Sequence, residues 1–181
     1  MNIFYLAKCA KLCAMYHNDK HCVKMILETC QLLYTCLWLC MPNEEWVENA
    51  PKTKSGQKGF KKSFVNHPCA KWLRESINNY KWLCDLGFHL CEEYTHRYGK
   101  VHSCEKHILW LKQQTPILPD VPMTKIKLAM PDQYKCDDPI EAYRKYYIGH
   151  KKRFSTWKKR DIPPWFPKDE EKQEDKKALE N

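Results

Sequence analysis

Apolar residues recur every three to four positions over most of the chain, which is the spacing of helices that pack on one face. The pattern is strongest over residues 19–40, where Asn18 or Asp19 can cap the start and Pro42 ends the run. Most of this predicted helix is apolar, so we expect it to be largely buried. Its polar residues form one narrow stripe along the helix, made of His21, Lys24, Glu28 and Gln31.

A second long helical pattern covers residues 67–99. Pro68 suits the first helical position, and Gly99 suits the end. Gly87 lies inside the pattern, so we expect it to bend this helix or to divide it into two pieces.

Two further helices are predicted downstream. One covers about 103–114 and ends before Pro116. The other begins after Asp138, which with Glu141 makes a capping box, and its basic and aromatic pattern continues to Arg160. The fold class is therefore mainly α.

The segments between these helices have a different composition. Residues 1–7 are apolar and short, as a strand or an extended lead-in would be. Residues 43–66 form a basic and mobile loop, and residues 115–137 form a proline-rich connector along the surface. We expect one compact helical bundle with long extended connectors over 1–166, followed by a charged disordered tail at 167–181.

The composition of the chain is basic, with more lysine and arginine than aspartate and glutamate. Hydrophobic residues make up 43% of the 181 residues, which is enough for a core, and the formal net charge is +9. A basic protein favours anionic partners such as nucleic acid or an acidic membrane surface, although a charge of this size also serves ordinary solubility.

The chain has eleven cysteines, so the redox environment in which it works has to be considered. Lys8 and Lys11 interrupt the apolar N-terminus, so it lacks a secretory pattern, and the apolar run at 32–41 is too short to span a bilayer. We expect an intracellular, reducing setting without a membrane, in which most cysteines pack as small core residues.

Several chemistries lack support in the sequence. No CxxC occurs, so the neighbours His102, Cys104 and His107 do not predict a metal site, and we expect no cofactor. P-loop, GxGxxG, GxSxG and HExxH motifs are also missing. Cysteine–histidine catalysis stays open because both residue types are abundant.

The polar stripe of the first helix has two interpretations. It is either a solvated face with a Lys24–Glu28 ion pair or the lining of a cleft, and its narrowness favours the cleft. Similar stripes occur around Arg74 and Asn78 and around Glu93 and Arg97. Three such stripes meeting in one cleft would provide a carboxylate near basic groups, as general acid–base chemistry needs.

The last predicted helix interleaves cations with aromatic rings. Cations neutralise phosphates and rings stack on bases, although the rings could instead face the core while the cations face water. The residues predicted to contact nucleic acid are Arg74, Asn78, Arg97, Arg144, Lys151, Lys152, Arg153, Lys158 and Lys159.

Several motifs resemble a group of small proteins from phages and large DNA viruses. They are MNIF, DKHxxKMxxExxQ at 19–31, HPCAxWxRES at 67–76, CEEYTHRYGKxH at 91–102, and AMPDxYK with YRxYY at 129–147. More distantly, Asp19-Lys20-His21 followed by Glu28 resembles phage-type pyrimidine-dimer DNA glycosylases, which have Asp-x-His and, seven residues after the histidine, a catalytic glutamate.

This resemblance implies a mechanism and a set of catalytic residues. The N-terminal amine attacks the sugar C1′ and expels the base through an imine, the glutamate assists, and β-elimination cleaves the strand. An α-amine is less basic than a lysine, so more of it is nucleophilic near neutral pH. Asn2 is too large for ordinary methionine removal, so the implied amine belongs to Met1, with Lys24 as the alternative. The catalytic candidates are Met1, His21, Lys24 and Glu28.

The chain departs from that family beside the glutamate, where Leu27 and Gln31 replace two arginines. Three hypotheses remain. The first is a glycosylase/AP-lyase that acts on damaged or modified pyrimidines in duplex DNA. The second is a non-catalytic nucleic-acid-binding or virion protein with the same basic surface, and the third is an enzyme acting on a small anionic metabolite such as a nucleotide. The protein would work inside the host cell or be packaged in a virion, and the oligomeric state stays open.

Overall fold

The computed structural model describes residues 1–168, and its regular elements are helical. The helices are α1 (Ala10–Tyr16), α2 (Asp19–Cys40), α3 (Trp46–Asn49), α4 (Pro68–Leu73), α5 (Ile77–Tyr98), α6 (Glu105–Leu111) and α7 (Pro139–Lys151), with 3-10 turns at Asp132–Tyr134 and Lys152–Phe154. Within 1–168 the one β feature is an isolated bridge between Lys52 and Lys58. The predicted mainly α, single-domain class is confirmed.

The central element is α2, which has the predicted bounds. The Asn18 side chain caps it by accepting a hydrogen bond from the His21 backbone at 2.9 Å. The helix packs against α4, α5 and α6 and carries much of the core. By length and mean hydropathy α2 could cross a membrane, but 67% of its apolar window is buried inside the protein, as in core helices.

The predicted helix at 67–99 is two helices, and the break lies earlier than Gly87. Ser76 starts α5 by accepting a hydrogen bond from the Asn78 backbone at 3.0 Å, so the chain turns between α4 and α5. Gly87 lies inside α5, where an added Cβ would stand 2.8 Å from Ile108 and 3.0 Å from Thr29. Its role is therefore close packing of α5 against α6 and α2.

The N-terminal segment is an extended lead-in, not a strand, and it runs into a helix that the pattern did not predict, α1. The Cys13 thiol ties the two together, because it donates to the Phe4 carbonyl at 3.2 Å and accepts from the Leu6 backbone at 3.3 Å. These contacts fix the path of the first residues of the chain.

The basic loop at 43–66 is more ordered than predicted. It contains α3, and Trp46 and Phe60 pack on Tyr34 of α2. The Trp38 indole N–H also donates to the Phe60 carbonyl at 2.9 Å. Buried aromatic contacts therefore hold this loop on the C-terminal half of α2.

The last helix is shorter than its sequence pattern. It ends at Lys151, and after a 3-10 turn residues 155–168 run back across the protein. The Asp19 carboxylate accepts from the Lys158 backbone at 3.0 Å, and the Trp157 indole donates to the Tyr16 carbonyl at 3.1 Å. The predicted tail at 167–181 lies almost wholly outside the described residues.

Candidate active site

The carboxylate of Glu28 meets the start of the chain. Glu28 is 8% exposed, and its Oε2 accepts a hydrogen bond from the Asn2 backbone at 2.9 Å. The same oxygen lies 3.8 Å from the Met1 amine, while Oε1 lies 3.3 Å from the Lys24 ammonium. The polar stripe of α2 is therefore not a plain solvated face, because it places one carboxylate between two amines.

Contacts from distant parts of the chain hold the amine in place. The Asn2 side chain donates to the Ala129 carbonyl at 2.8 Å and accepts from the Tyr143 hydroxyl at 3.1 Å. The Met1 side chain is only 2% exposed, although the residue as a whole is not buried. The accessible part of Met1 is therefore its backbone, which carries the amine.

His21 lies two turns before Glu28 on α2 and does not contact it, since seven residues rise about 10 Å along a helix. Its ring stacks on Phe4 with centroids 4.3 Å apart, and its Nδ1 lies 2.7 Å from the Tyr147 hydroxyl. Burial, with the nearby His17 and the cations of Lys151 and Lys24, lowers the pKa of His21 to about 2. At neutral pH the ring is uncharged and packs beside the site.

A basic surface extends from the site, and we call it the basic ridge: Lys24 beside Glu28, together with Lys20, Lys151 and Arg153 around the ring of Phe154. The Lys20 ammonium lies 4.7 Å from that ring, and the Lys151 and Arg153 cations each lie 6.0 Å from it. Burial and the neighbouring cations of Lys24 and Arg153 lower the pKa of Lys151. Cations this close raise the local positive potential, which favours an anion beside Glu28.

Comparison with known proteins identifies the family. The sequence model described as pyrimidine dimer DNA glycosylase matches residues 1–106, more than half of the chain. The chain belongs to the pyrimidine dimer DNA glycosylase family. No curated protein and no solved structure matches it.

The glycosylase-family match includes the whole cluster of Met1, Lys24 and Glu28 and ends inside α6. It confirms the resemblance drawn from Asp19-Lys20-His21 and Glu28. The match does not extend to α7, so the Tyr143 hydroxyl that holds Asn2, and two of the four cations of the basic ridge, Lys151 and Arg153, come from outside the matched segment.

Among the other predicted site residues of this family member, Arg97 is not at the surface. It is fully buried and donates to Glu93 at 3.1 Å, to Asp19 at 3.1 Å and to the His17 carbonyl at 2.8 Å. Arg160 joins the same network, with its guanidinium 2.6 Å from Glu93. A fully buried guanidinium has no surface to offer a phosphate, so Arg97 acts in the structure and not in the predicted contact with nucleic acid.

Arg144 is likewise held within the protein. Its guanidinium donates to the Leu6 carbonyl at 3.0 and 2.9 Å and lies 5.2 Å from the ring of Trp165. Arg74 donates to the Val65 carbonyl at 3.1 Å, and Asn78 donates to the Val121 carbonyl at 2.7 Å.

These positions show that the three polar stripes do not meet in one shared cleft. The Glu93–Arg97 stripe packs on Asp19, nine residues before Glu28, which is about 13 Å along α2. The Arg74–Asn78 stripe is bound to the loop before α4 and to the proline-rich connector. The three stripes therefore serve separate places, and only that of α2 belongs to the Glu28 site.

The predicted cations near the C-terminus divide into two groups. Lys151 and Arg153 belong to the basic ridge, and Lys152 is exposed between them. Lys158 lies with its ammonium 5.5 Å from the Tyr98 ring, and the Lys159 ammonium donates to the His96 carbonyl at 3.3 Å. This second pair lies at the C-terminal end of α5, where the Lys158 backbone also contacts Asp19 at the start of α2.

Sequence reasoning missed His67 and Lys20. Burial, together with the Met1 amine, lowers the pKa of His67, while Glu28 opposes this effect, so the ring lies near both groups. Its Nδ1 accepts from the Cys69 backbone at 3.2 Å, which leaves the proton of the neutral ring on Nε2. The HPC motif placed His67 before a helix, but no local signal shows that this helix start approaches Met1.

Proposed function

We propose that this protein is a DNA N-glycosylase/AP-lyase that removes damaged or modified pyrimidines through an amine–imine intermediate. One observation supports this proposal above the others, namely that Oε2 of Glu28 lies 3.8 Å from the Met1 amine in a mostly buried position. Membership of the pyrimidine dimer DNA glycosylase family makes DNA the natural substrate class.

The first stage breaks the glycosidic bond. The neutral amine of Met1 attacks the sugar C1′, the bond from C1′ to the base breaks, and the base leaves with the electron pair and takes up a proton. Glu28 accepts the proton that the amine nitrogen loses, and it can pass this proton to the ring oxygen O4′ as the sugar opens. The product is an imine between the amine nitrogen and C1′.

The second stage cleaves the strand. A base removes a proton from C2′, the electron pair moves towards the imine, and the C3′–oxygen bond breaks so that the 3′-phosphate leaves. Glu28 is suited to take the C2′ proton because its carboxylate is already held beside the imine nitrogen. Hydrolysis of the imine then regenerates the amine.

The basic ridge would hold the DNA. Lys24 can neutralise a phosphate next to Glu28, while Lys20, Lys151 and Arg153 can do so about two turns of α2 away. The Phe154 ring between these three cations offers a face for stacking on an exposed base. Lys24 contributes twice, because its ammonium also pairs with Glu28.

Borohydride trapping tests the proposal. The protein is mixed with duplex DNA that carries an abasic site, or a pyrimidine dimer, and sodium borohydride is added to reduce any imine. We expect a covalent protein–DNA complex, with peptide mapping that places the link on Met1. Salt-sensitive binding without trapping or strand scission would overturn the glycosylase proposal and select the non-catalytic alternative.

A second measurement separates the two amines. Lys24→Arg keeps a cation beside Glu28 but removes the side-chain amine, whereas a Gly-Ser extension before Met1 moves the terminal amine away. We expect Lys24→Arg to be trapped and the extended protein not to be, after intact mass has confirmed the N-terminal residue of each. The reverse result would assign the nucleophile to Lys24 and contradict the role of Met1.

A further inference from the structure

Two cavities lie side by side along α2, next to the candidate active site. Their volumes are about 680 Å³ and about 300 Å³. On the α2 side they extend from Val23 to Gln31, which is about 12 Å along the helix. The other wall is the loop at 43–66, and three of its residues line both cavities, namely Thr53, Ser55 and Phe60. We call this shared surface the α2 groove.

The loop wall of the α2 groove lies tight against the helix. The Thr35 hydroxyl donates to the Ser63 carbonyl at 3.0 Å and accepts from the Ser63 backbone at 3.1 Å. Gly59 has a φ of +62°, and a Cβ added there would stand 2.7 Å from the Tyr34 ring. The groove therefore has a fixed wall on each side.

Much of the lining of the α2 groove is apolar. Val23 and Leu27 are 39% and 38% exposed, although they belong to the helix that carries much of the core. The side chains of Phe60 and His102 line the larger cavity with them. Apolar and aromatic surface that is open to water beside a polar site favours a ligand with flat, weakly polar faces.

Lysines surround the same apolar surface. Lys24, Lys54 and Lys106 line the larger cavity, and Lys61 lines the smaller one. Within the described residues, neither cavity has an aspartate or a glutamate in its wall. The α2 groove is therefore complementary to a ligand that carries several negative charges.

An unpaired DNA strand has both of these properties. It carries one charged phosphate per nucleotide and exposes the faces of its bases, whereas a duplex keeps its bases stacked inside. Lys24 lines the groove, belongs to the basic ridge and pairs with Glu28 at 3.3 Å. The groove, the ridge and the candidate active site therefore meet at this residue.

We infer that the α2 groove holds unpaired nucleotides next to the reacting sugar, so that the preferred substrate is DNA opened around the lesion, as in a bubble or a fork. This inference rests on the proposed function, because that function brings the reacting sugar to Glu28. At about 3.4 Å per stacked nucleotide, a groove of about 12 Å accommodates about three nucleotides.

Equilibrium binding tests the inference without any cleavage. Two DNAs of equal length carry the same tetrahydrofuran analogue of an abasic site, which cannot form an imine. One DNA is fully paired, and in the other about three nucleotides on each side of the analogue are unpaired. We expect fluorescence anisotropy to show about tenfold tighter binding of the bubble, the effect of one stacked base. Equal affinities, or tighter binding of the paired DNA, would overturn the inference.

A matched pair of variants assigns this preference to the groove. Val23→Ser/Leu27→Gln makes the exposed lining polar, and the affinities for the two DNAs should then agree within about twofold. Leu12→Gln/Leu39→Gln changes two leucines that are 38% and 39% exposed outside the groove, and the preference should remain about tenfold. A preference that survives in the groove variant, or that is lost in both variants, would contradict the assignment.

The groove lysines are tested through salt dependence. Each phosphate contact of a single strand adds about 0.7 to the slope of the logarithm of affinity against the logarithm of salt concentration. Lys54→Gln/Lys106→Gln should therefore reduce the slope by about 1.4 for the bubble and leave that for the paired DNA unchanged. Lys81→Gln/Lys125→Gln removes two exposed lysines outside the groove and should change neither slope. An equal reduction with both DNAs in the groove variant would show that these lysines do not select the unpaired strand.

Borohydride trapping keeps this inference apart from the proposed function. If the protein is trapped on abasic DNA but binds the two analogues equally, the glycosylase reaction stands and the role of the groove is wrong. If the protein prefers the bubble but is never trapped, the proposed reaction is wrong, and the unpaired strand remains the ligand of the α2 groove.

Discussion

At the scale of single residues, the carboxylate charge of Glu28 is the most direct target. Glu28→Gln keeps an oxygen that can accept the Asn2 N–H but removes the proton acceptor between the two amines. We expect single-turnover scission of abasic DNA to slow about 10²- to 10⁴-fold, the usual contribution of a general acid–base group. DNA affinity, measured in parallel by fluorescence anisotropy, should change by less than about threefold.

The control for this variant is Glu44→Gln, which removes one negative charge from an exposed residue before α3. Its scission rate should equal that of the unaltered protein. If Glu28→Gln cleaves abasic DNA at the unaltered rate, then the proton acceptor is another group, and the role assigned to Glu28 is wrong.

Two buried histidines make a residue-scale prediction about pH. Burial lowers the pKa of His17 to about 4 and that of His21 to about 2, so both stay neutral in the folded protein while the unfolded chain takes up protons below about pH 6.5. Their stabilising contribution is complete above pH 6.5 and declines as the pH falls. As the pH falls from 7 to 5, each of the two histidines should lower the free energy of unfolding by about 2 kcal/mol, at 1.36 kcal/mol per pKa unit.

His21→Phe isolates one of these contributions. A phenyl ring can keep the stacking on Phe4 but cannot take up a proton, and Tyr147 keeps its contact with the Asn18 backbone. Urea unfolding gives the free energy of unfolding at pH 7 and at pH 5. The difference between these two values should be about 2 kcal/mol smaller in the variant than in the unaltered protein. An unchanged difference would mean that His21 is protonated in the folded state.

At the scale of elements, the buried network around Arg97 joins α5, the start of α2 and the returning C-terminal segment. Arg97→Met leaves the Asp19 and Glu93 carboxylates without their buried cation, which typically costs about 3–5 kcal/mol. Arg160 is 30% exposed on its side chain, so Arg160→Gln should cost clearly less. Thermal and urea unfolding of the two variants give the comparison, and equal losses would contradict the central place of Arg97.

The helix ends show where the local sequence is enough to predict the structure. The bounds of α2 were predictable because a capping side chain at Asn18 and a proline at 42 mark both ends. The end of α7 was not predictable from the sequence, because the pattern of cationic and aromatic residues continues to Arg160, whereas the helix ends at Lys151. There the tertiary contacts of Trp157 and Lys158 outweigh helix propensity.

At the scale of the whole molecule, the site depends on contacts that no local pattern encodes. Spacing alone singled out Glu28 and Lys24, because both lie on one face of one helix. The position of Met1 follows instead from Asn2, which is bound to Ala129 and Tyr143 across 127 and 141 residues of sequence. Such pairings depend on the packing of α7 against the N-terminus, so the sequence pointed to the Met1 amine only through a family resemblance.

The basic ridge gives the whole-molecule prediction. Lys151 and Arg153 come from the C-terminal part of the chain, while Lys20 and Lys24 come from α2. Lys20, Lys151 and Arg153 lie around Phe154, and the Lys24 cation is close enough to Lys151 to help lower its pKa. If the ridge binds DNA phosphates, each contact adds about 0.9 to the slope of the logarithm of affinity against the logarithm of salt concentration. Lys151→Gln/Arg153→Gln should therefore reduce that slope by about 2, with a matching loss of affinity at low salt.

The matched control for the ridge is Lys81→Gln/Lys125→Gln, which makes the same charge change at two exposed lysines on α5 and on the proline-rich connector. Anisotropy titrations between 50 and 200 mM salt would compare the two variants, a range in which each phosphate contact is resolved as a change in slope. If the salt dependence of DNA affinity falls by the same amount in both variants, then binding depends on the net charge of +9 and not on the basic ridge. If only the ridge variant loses it, the duplex lies across α2 and the end of α7, with Glu28 and the Met1 amine beneath it.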